Sequence, residues 1–225
     1  MKVEYLLLNA LIISGPLVMS FEKNIFFVSR WRLAGPAIAL VAVPYLIWDA
    51  LVTGRHWWFN EKYILGVRLA GLPIEEWMFF LTVPFAALFV WEVIAYHFSD
   101  HPYAAMPYVR FIFCFAPAGG ILLFITGREY TGLMLIVLGA AAMMDALFKT
   151  RVMTRTRGLI YFGAVTIFII IFNGYLTARP VVLYGESYQL GLRVGTIPIE
   201  DFGYGYSLIL AVTVVYEKLK ALADG

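Results

Sequence analysis

Two copies of a short acidic motif are the residues of this sequence best suited to chemistry. Pro73-Ile74-Glu75-Glu76 begins one long apolar segment, and Pro198-Ile199-Glu200-Asp201 begins another. Carboxyl groups serve as general acids and bases, and an apolar setting keeps a carboxylic acid protonated. The same residues also suit a plain helix start, because proline opens a first turn and acids complement the helix dipole. Since both copies keep the same order, we favour catalysis and predict as acid and base residues Glu75, Glu76, Glu200 and Asp201.

Further polar and aromatic side chains accompany the motifs. Asp49 and Asn173 are polar residues inside apolar segments, where lipid does not tolerate an unpaired polar group, so we expect both to face the bundle interior. Helix–helix hydrogen bonding and catalysis explain them about equally well. Aromatic faces beside the acids could stabilise a passing carbocation, although packing against lipid would also account for them. The predicted set that contacts the substrate or its cation is Trp48, Asp49, Trp77, Phe79, Phe80, Asn173, Phe202 and Tyr204.

The composition requires a membrane around these residues. Of the 225 residues, 62% are hydrophobic and 14% are charged, against about 25% charged in a soluble domain. The mean hydropathy is +0.81. A net charge of +2 is too small to indicate a nucleic-acid partner, and the single Cys114 excludes an intrachain disulfide. The three histidines stand at segment ends without metal-ligand spacing, so we predict no metal site. The sequence leaves the choice between a monomer and a homo-oligomer open.

Seven apolar segments approach the length of about 20 residues that a membrane helix needs. They span residues 5–21, 33–52, 73–96, 111–126, 131–148, 158–178 and 197–216. Lys and Arg number seven on the side of the N-terminus and ten on the other, a small bias that favours the cytoplasmic membrane with the N-terminus outside and the C-terminus inside. Trp57, Trp58 and Phe59, between the second and third segments, are expected to form an interfacial aromatic belt.

An internal repeat organises the segments. A shift of about 125 residues places Arg30 on Arg155 and Arg68 on Arg193, and it superposes the two acidic motifs. Four crossings separate each segment from its copy, so the copies run in the same direction. We therefore predict an all-α integral membrane protein with seven transmembrane helices, in which two parallel three-helix repeats are joined by a linker helix. The predicted units are residues 1–100, 101–127 and 128–225.

The motif P-I-E-E-W-M-F-F at 73–80, repeated as P-I-E-D-F at 198–202, resembles the paired P-x-E-(E/D) signature of membrane-type lycopene cyclases. That family occurs in bacteria, archaea and fungi as two small subunits or as one fused chain, and this sequence resembles the fused form. Two departures stand out: residues 203–205 read Gly-Tyr-Gly where the first copy has Met-Phe-Phe, and Asn173 replaces the acid of Asp49. The two copies are therefore not expected to be equivalent.

The resemblance implies a flavin-free, redox-neutral cyclisation of membrane-dissolved lycopene through γ-carotene to β-carotene, with no cofactor. An acid protonates the terminal double bond, an internal alkene closes the ring, and a base removes a ring proton. Two alternatives stay open. A cyclase of longer, prenylated carotenoids would resemble this family equally, and a seven-helix transporter would also use parallel repeats with acids inside the membrane.

Overall fold

Seven long helices make up the protein in a computed structural model that describes residues 2–223. Five of them, α2 to α6, lie in stretches long and apolar enough to cross a membrane, and α1 is apolar but shorter. The seventh, α7, is less apolar because acids and tyrosines follow its start and lysines stand near its end. The helices are α1 Glu4–Met19, α2 Trp31–Val52, α3 Ile74–His97, α4 Met106–Ile125, α5 Glu129–Phe148, α6 Thr156–Ala178 and α7 Ile199–Ala223.

The predicted fold class is confirmed, and each predicted span corresponds to one helix. The largest differences in bounds are at the start of α4 and the end of α7, both of which extend past the apolar run into charged residues. Arg110 of α4 pairs with the buried Asp145, and Lys220 of α7 pairs with Glu92 and Glu217. These charged partners allow the helices to continue where hydropathy alone predicts an end.

The two repeats have equivalent hairpins just before their motif-bearing helices. In the first, strands β2 (Arg68–Leu69) and β3 (Leu72–Pro73) form a hairpin just before α3, and in the second β5 (Arg193–Val194) and β6 (Ile197–Pro198) do the same before α7. Ala70 and Gly71 both have positive φ, as a two-residue hairpin turn of this kind requires. The hairpins therefore set the start of both motif-bearing helices.

The third small sheet joins the repeats to each other. Strand β1 (Trp57–Phe59) pairs in antiparallel fashion with β4 (Val182–Tyr184), which belongs to the second repeat. Because successive strand residues point to opposite faces, Trp57 and Phe59 are buried while Trp58 is exposed. The expectation of an interfacial belt is therefore wrong for Trp57 and Phe59.

The linker helix α4 lies at the edge of the bundle, packed mainly against α5. The two backbones approach closely: a Cβ added at Gly132 would lie 2.5 Å from the Gly120 carbonyl oxygen. At the opposite end of the bundle from the motifs, the repeats are joined by reciprocal bonds. Trp91 Nε1 donates to Glu217, and its counterpart Tyr216 donates through its hydroxyl to Glu92.

Candidate active site

An elongated cavity of about 470 Å³ lies between the repeats. Its walls come from α1 and α3 of the first repeat and from α6 and α7 of the second, and the β1–β4 sheet covers one end. The lining is almost wholly apolar and aromatic. Three carboxyl groups, those of Asp49, Glu76 and Asp201, are the acidic side chains in the lining, and all three are buried.

Asp49 and Glu76 form a carboxyl pair from two neighbouring helices. Asp49 is near the end of α2 and Glu76 is in the first turn of α3, and their carboxyl groups lie within hydrogen-bonding reach of each other in the cavity lining. A hydrogen bond between two carboxyl groups requires a proton on one of them. The Tyr5 hydroxyl donates to Glu76 Oε2 at 2.5 Å, and the Tyr204 hydroxyl donates to Asp49 Oδ1 at 3.2 Å. The pair is thus built to hold one proton inside an apolar cavity.

Asp201 has a different environment in the second repeat. Its carboxylate accepts three hydrogen bonds, from the Tyr130 hydroxyl at 2.6 Å, the Tyr184 hydroxyl at 2.7 Å and Asn173 Nδ2 at 2.7 Å. Three donors directed at one carboxyl favour its charged form. Asn173 ends a π-type widening of α6 over Ile169–Asn173 that forms part of the cavity wall. The repeats therefore present two neighbouring carboxyls on one side and, on the other, a single carboxyl that accepts three hydrogen bonds.

The first acid of each motif performs a different task from the second. Glu75 Oε1 accepts the Leu65 backbone N–H at 2.7 Å, and Glu200 Oε1 accepts the Leu190 N–H at the same distance. Glu200 also accepts the Thr131 hydroxyl at 2.6 Å. Both side chains are fully buried outside the cavity lining, and each keeps one oxygen without a hydrogen-bond partner. Glu75 and Glu200 bind the preceding loop to the start of the helix.

The structure brings seven of the predicted site residues together and leaves five outside the cavity. Those in the lining are Asp49, Glu76, Phe79, Phe80, Asn173, Asp201 and Tyr204. Of those outside, Trp48 packs against His56 and Phe124, and Trp77 donates to the Leu69 carbonyl oxygen. Phe202 is buried beside the site rather than in it. The others outside are the two glutamates Glu75 and Glu200.

Three site tyrosines, Tyr5, Tyr130 and Tyr184, were not predicted. All three line the cavity and donate to its acids, although Tyr5 and Tyr130 are each 71 residues away from the carboxyl they contact. A usable signal was present, because Tyr5 and Tyr130 are related by the 125-residue shift that also relates Glu76 to Asp201. A search of the repeat for matching tyrosines would have found them.

A second polar cluster lies where α2 ends and α5 begins, on the same membrane face as the cavity acids. His56 is buried, and its Nε2 lies 2.8 Å from Glu129 Oε2, while Arg55 pairs with the other oxygen of Glu129. Burial lowers the pKa of His56, and the nearby Glu129 carboxylate opposes that shift. His56 also stacks on Tyr188 at 4.4 Å between ring centroids. Within residues 2–223, no group of three or more His, Cys, Asp or Glu side chains is placed so that it could hold a metal ion.

The family model described as Lycopene cyclase matches residues 3–94 and 127–219, which are the two repeats without α4. Curated proteins and solved structures give no significant match.

Proposed function

Because this chain belongs to the lycopene cyclase family, we propose that it is a lycopene β-cyclase that closes rings by proton transfer. The observation that supports this most directly is the gathering of Asp49, Glu76 and Asp201 at one end of an apolar cavity. A hydrocarbon substrate needs an apolar cavity, and cyclisation by protonation needs an acid and a base beside its reacting carbons. The proposed product is β-carotene, formed through γ-carotene.

The Asp49–Glu76 pair is the proposed acid. The shared proton is transferred to the terminal double bond of the polyene and leaves a tertiary carbocation. Both carboxyls are then ionised, and the Tyr5 and Tyr204 hydroxyls stabilise the added negative charge by hydrogen bonding. An alkene is a very weak base, so the proton must come from a carboxyl group held in its neutral form by a dry site.

Ring closure follows within the aromatic part of the lining. An internal double bond attacks the cation, which forms the carbon–carbon bond of the six-membered ring and moves the positive charge into it. Phe79, Phe80 and Tyr204 face the cavity beside the acids. Aromatic faces attract a desolvated cation by about 2 kcal/mol each. We propose that these rings stabilise the intermediate without offering it a nucleophile.

Asp201 is the proposed base. As a carboxylate with three donors, it accepts the ring proton whose loss places the ring double bond. One proton is gained and one is lost per ring, so the reaction is an isomerisation that needs no oxidant or reductant. In this scheme neither repeat is sufficient, because the first supplies the acid and the second supplies the base.

The proposed setting is the cytoplasmic membrane, with the N-terminus outside, where lycopene dissolves among the lipid chains. The test is purified protein supplied with lycopene in liposomes made with D₂O, and carotenoid analysis by mass. We expect γ-carotene and then β-carotene, with one deuterium per ring, because the added proton exchanges with solvent through the acid. If a longer, prenylated carotenoid supplied in place of lycopene is cyclised and lycopene is not, the substrate assignment moves to the longer carotenoid. Unchanged lycopene together with proton-coupled flux in vesicles would overturn the cyclase in favour of a transporter.

A further inference from the structure

The cavity is much longer than the acid site. Along α3 its lining extends from Glu76 to Val90, which is about 20 Å at the helical rise of about 1.5 Å per residue. On α1 it extends from Tyr5, beside the acids, to Pro16. The acids are confined to one end, and the remainder is hydrocarbon and aromatic. This is the shape of a channel for an extended apolar chain with its reacting end at the acids.

The cavity opens sideways between α1 and α6. Several residues that line it are also exposed: Leu11, Ser14 and Gly15 on α1, and Phe168 on α6. At the end nearest the acids the gap is closed, because Glu4 of α1 accepts hydrogen bonds from Tyr175 and Arg179 at the end of α6. The opening therefore faces the hydrocarbon part of the membrane rather than the aqueous surface.

Resting on the cyclase function proposed above, we propose that the gap between α1 and α6 is a lateral portal. One end of a linear polyene enters through it directly from the lipid and reaches the acids by sliding along the cavity. The chemistry of the opening supports this occupant: its exposed lining is apolar except for the Ser14 hydroxyl, and no charged side chain of the lining stands between it and the acids. An ionic or strongly polar ligand would find no partner along that path.

The repeat predicts a second portal between α2 and α5, and the structure shows that position closed. The equivalents of Phe168, Ile169 and Phe172 are Pro44, Tyr45 and Trp48, which line a separate pocket of about 280 Å³ that ends at Tyr204. Tyr45 packs against Tyr204 with ring centroids 5.1 Å apart. The Tyr45 hydroxyl also donates to Ser207 at 2.7 Å. Ile169, its counterpart at the open portal, has no hydroxyl to make such a bond.

A single portal has a consequence for the order of events. A polyene that enters by one end places only that end at the acids, and its other end stays in the lipid. The monocyclic product must leave and insert its second end before the second ring can form. We therefore expect free monocyclic carotenoid to accumulate before the dicyclic product.

The test is to narrow the portal at Gly15. A Cβ added there meets nothing within 4 Å, and the same holds at Gly35, an exposed glycine of α2 away from the cavity. Gly15→Ala, Gly15→Leu and Gly15→Trp should reduce kcat/KM progressively, with Gly15→Trp about tenfold or more below the wild type. Gly35→Trp, which adds the same bulk to a lipid-facing helix, should keep the wild-type rate. Retention of coloured lycopene on washed protein is measured for every variant.

Each outcome is decisive. Equal rates and equal pigment retention in Gly15→Trp and the wild type would overturn the portal. If the wild type retains lycopene without cyclising it and Gly15→Trp retains none, the portal stands and the cyclase function fails. In a pulse of labelled lycopene chased with excess unlabelled lycopene, we expect the label to stay in the monocyclic product. Labelled dicyclic product formed without a monocyclic stage would overturn the one-end order.

Discussion

The proposed sharing of one proton by Asp49 and Glu76 predicts how activity falls when these carboxyls are removed. Glu76→Gln removes one carboxyl but leaves Asp49 in the cavity, where it can still carry a proton toward the substrate. A general acid contributes about 10² to 10⁴ in rate, and the remaining partner should place the single variant near the lower figure. Tenfold in rate is about 1.4 kcal/mol, so the expected loss is about 3 kcal/mol of transition-state stabilisation.

The double variant Asp49→Asn/Glu76→Gln should lose far more than Glu76→Gln alone, approaching the upper figure of about 10⁴. Because each carboxyl can still carry a proton when the other is removed, the loss in the double variant should be at least the sum of the two single losses. The assay is initial cyclisation of lycopene in liposomes, divided by the amount of folded protein. Glu92→Gln and Glu217→Gln are the controls, since these acids lie at the other end of the bundle and join the repeats there. A double variant within tenfold of the wild type would refute the acid assignment.

Removal of the proposed base should change the reaction products in a way that removal of the proposed acid does not. Asp201→Asn leaves the Asp49–Glu76 pair in place, so protonation and ring closure continue, while the acceptor of the ring proton is lost. We expect turnover to fall by about 10² or more and the residual products to carry a misplaced ring double bond or a hydroxyl from water. The measurement is the product distribution by chromatography and mass. Residual product consisting of β-rings alone would contradict the assignment of Asp201 as the base.

Three further predictions follow from the structure. Glu200→Gln should lower the thermal midpoint, because the amide is a weaker acceptor for the bonds from Leu190 and Thr131, which contribute about 0.5–1.5 kcal/mol each. Activity per folded molecule should stay within about tenfold of wild type, and a larger loss at unchanged stability would make Glu200 catalytic. Burial lowers the pKa of His56 in the folded protein, so on acidification the unfolded chain binds a proton at this histidine before the folded protein does. The thermal midpoint should therefore fall as the pH drops below about 6.5. Thermal unfolding measured at several pH values should show a weaker dependence of the midpoint on pH in His56→Gln than in the wild type. If the dependence is the same in both, another group causes it. Chains cut after Ala104 and co-expressed should reassemble into active enzyme, since the repeats meet through α3, α6, α7 and the β1–β4 sheet; two stably inserted but inactive fragments would show that the covalent link is required.

Much of the architecture was available from the sequence because its determinants are local. Apolar runs of membrane length predict the helices, and scarce charged residues recurring at one spacing reveal the repeat. The acidic motifs were also identified as functional elements. Hydropathy could not predict the extension of α7 to Ala223, because the favourable pairing of Lys220 with Glu92 involves a residue of α3.

The division of tasks within each motif was not predictable from order alone. Glu75 and Glu76 are adjacent and chemically alike, yet about 100° of helical rotation directs one toward the loop and the other into the cavity. The pairing of Asp49 with Glu76 depends on how α2 packs against α3. The asymmetry between Asp49 and Asn173 was visible in the sequence, but the proposal that it separates an acid from a base required the hydrogen-bond partners of Asp201.

The peripheral position of α4 bears on how such an enzyme is supplied in the cell. Repeats made as separate chains would have to be synthesised in equal numbers and find each other by diffusion in the plane of the membrane. The tether makes their stoichiometry one to one and turns their encounter into an intramolecular event, with an effective concentration on the order of millimolar for a short connection. Because α4 contributes no residue to the cavity lining, its sequence is constrained by crossing the membrane and packing on α5, and not by the reaction. It should therefore accept replacement by an unrelated apolar helix that keeps Arg110, the partner of Asp145, and the small residues facing α5, at no cost to turnover.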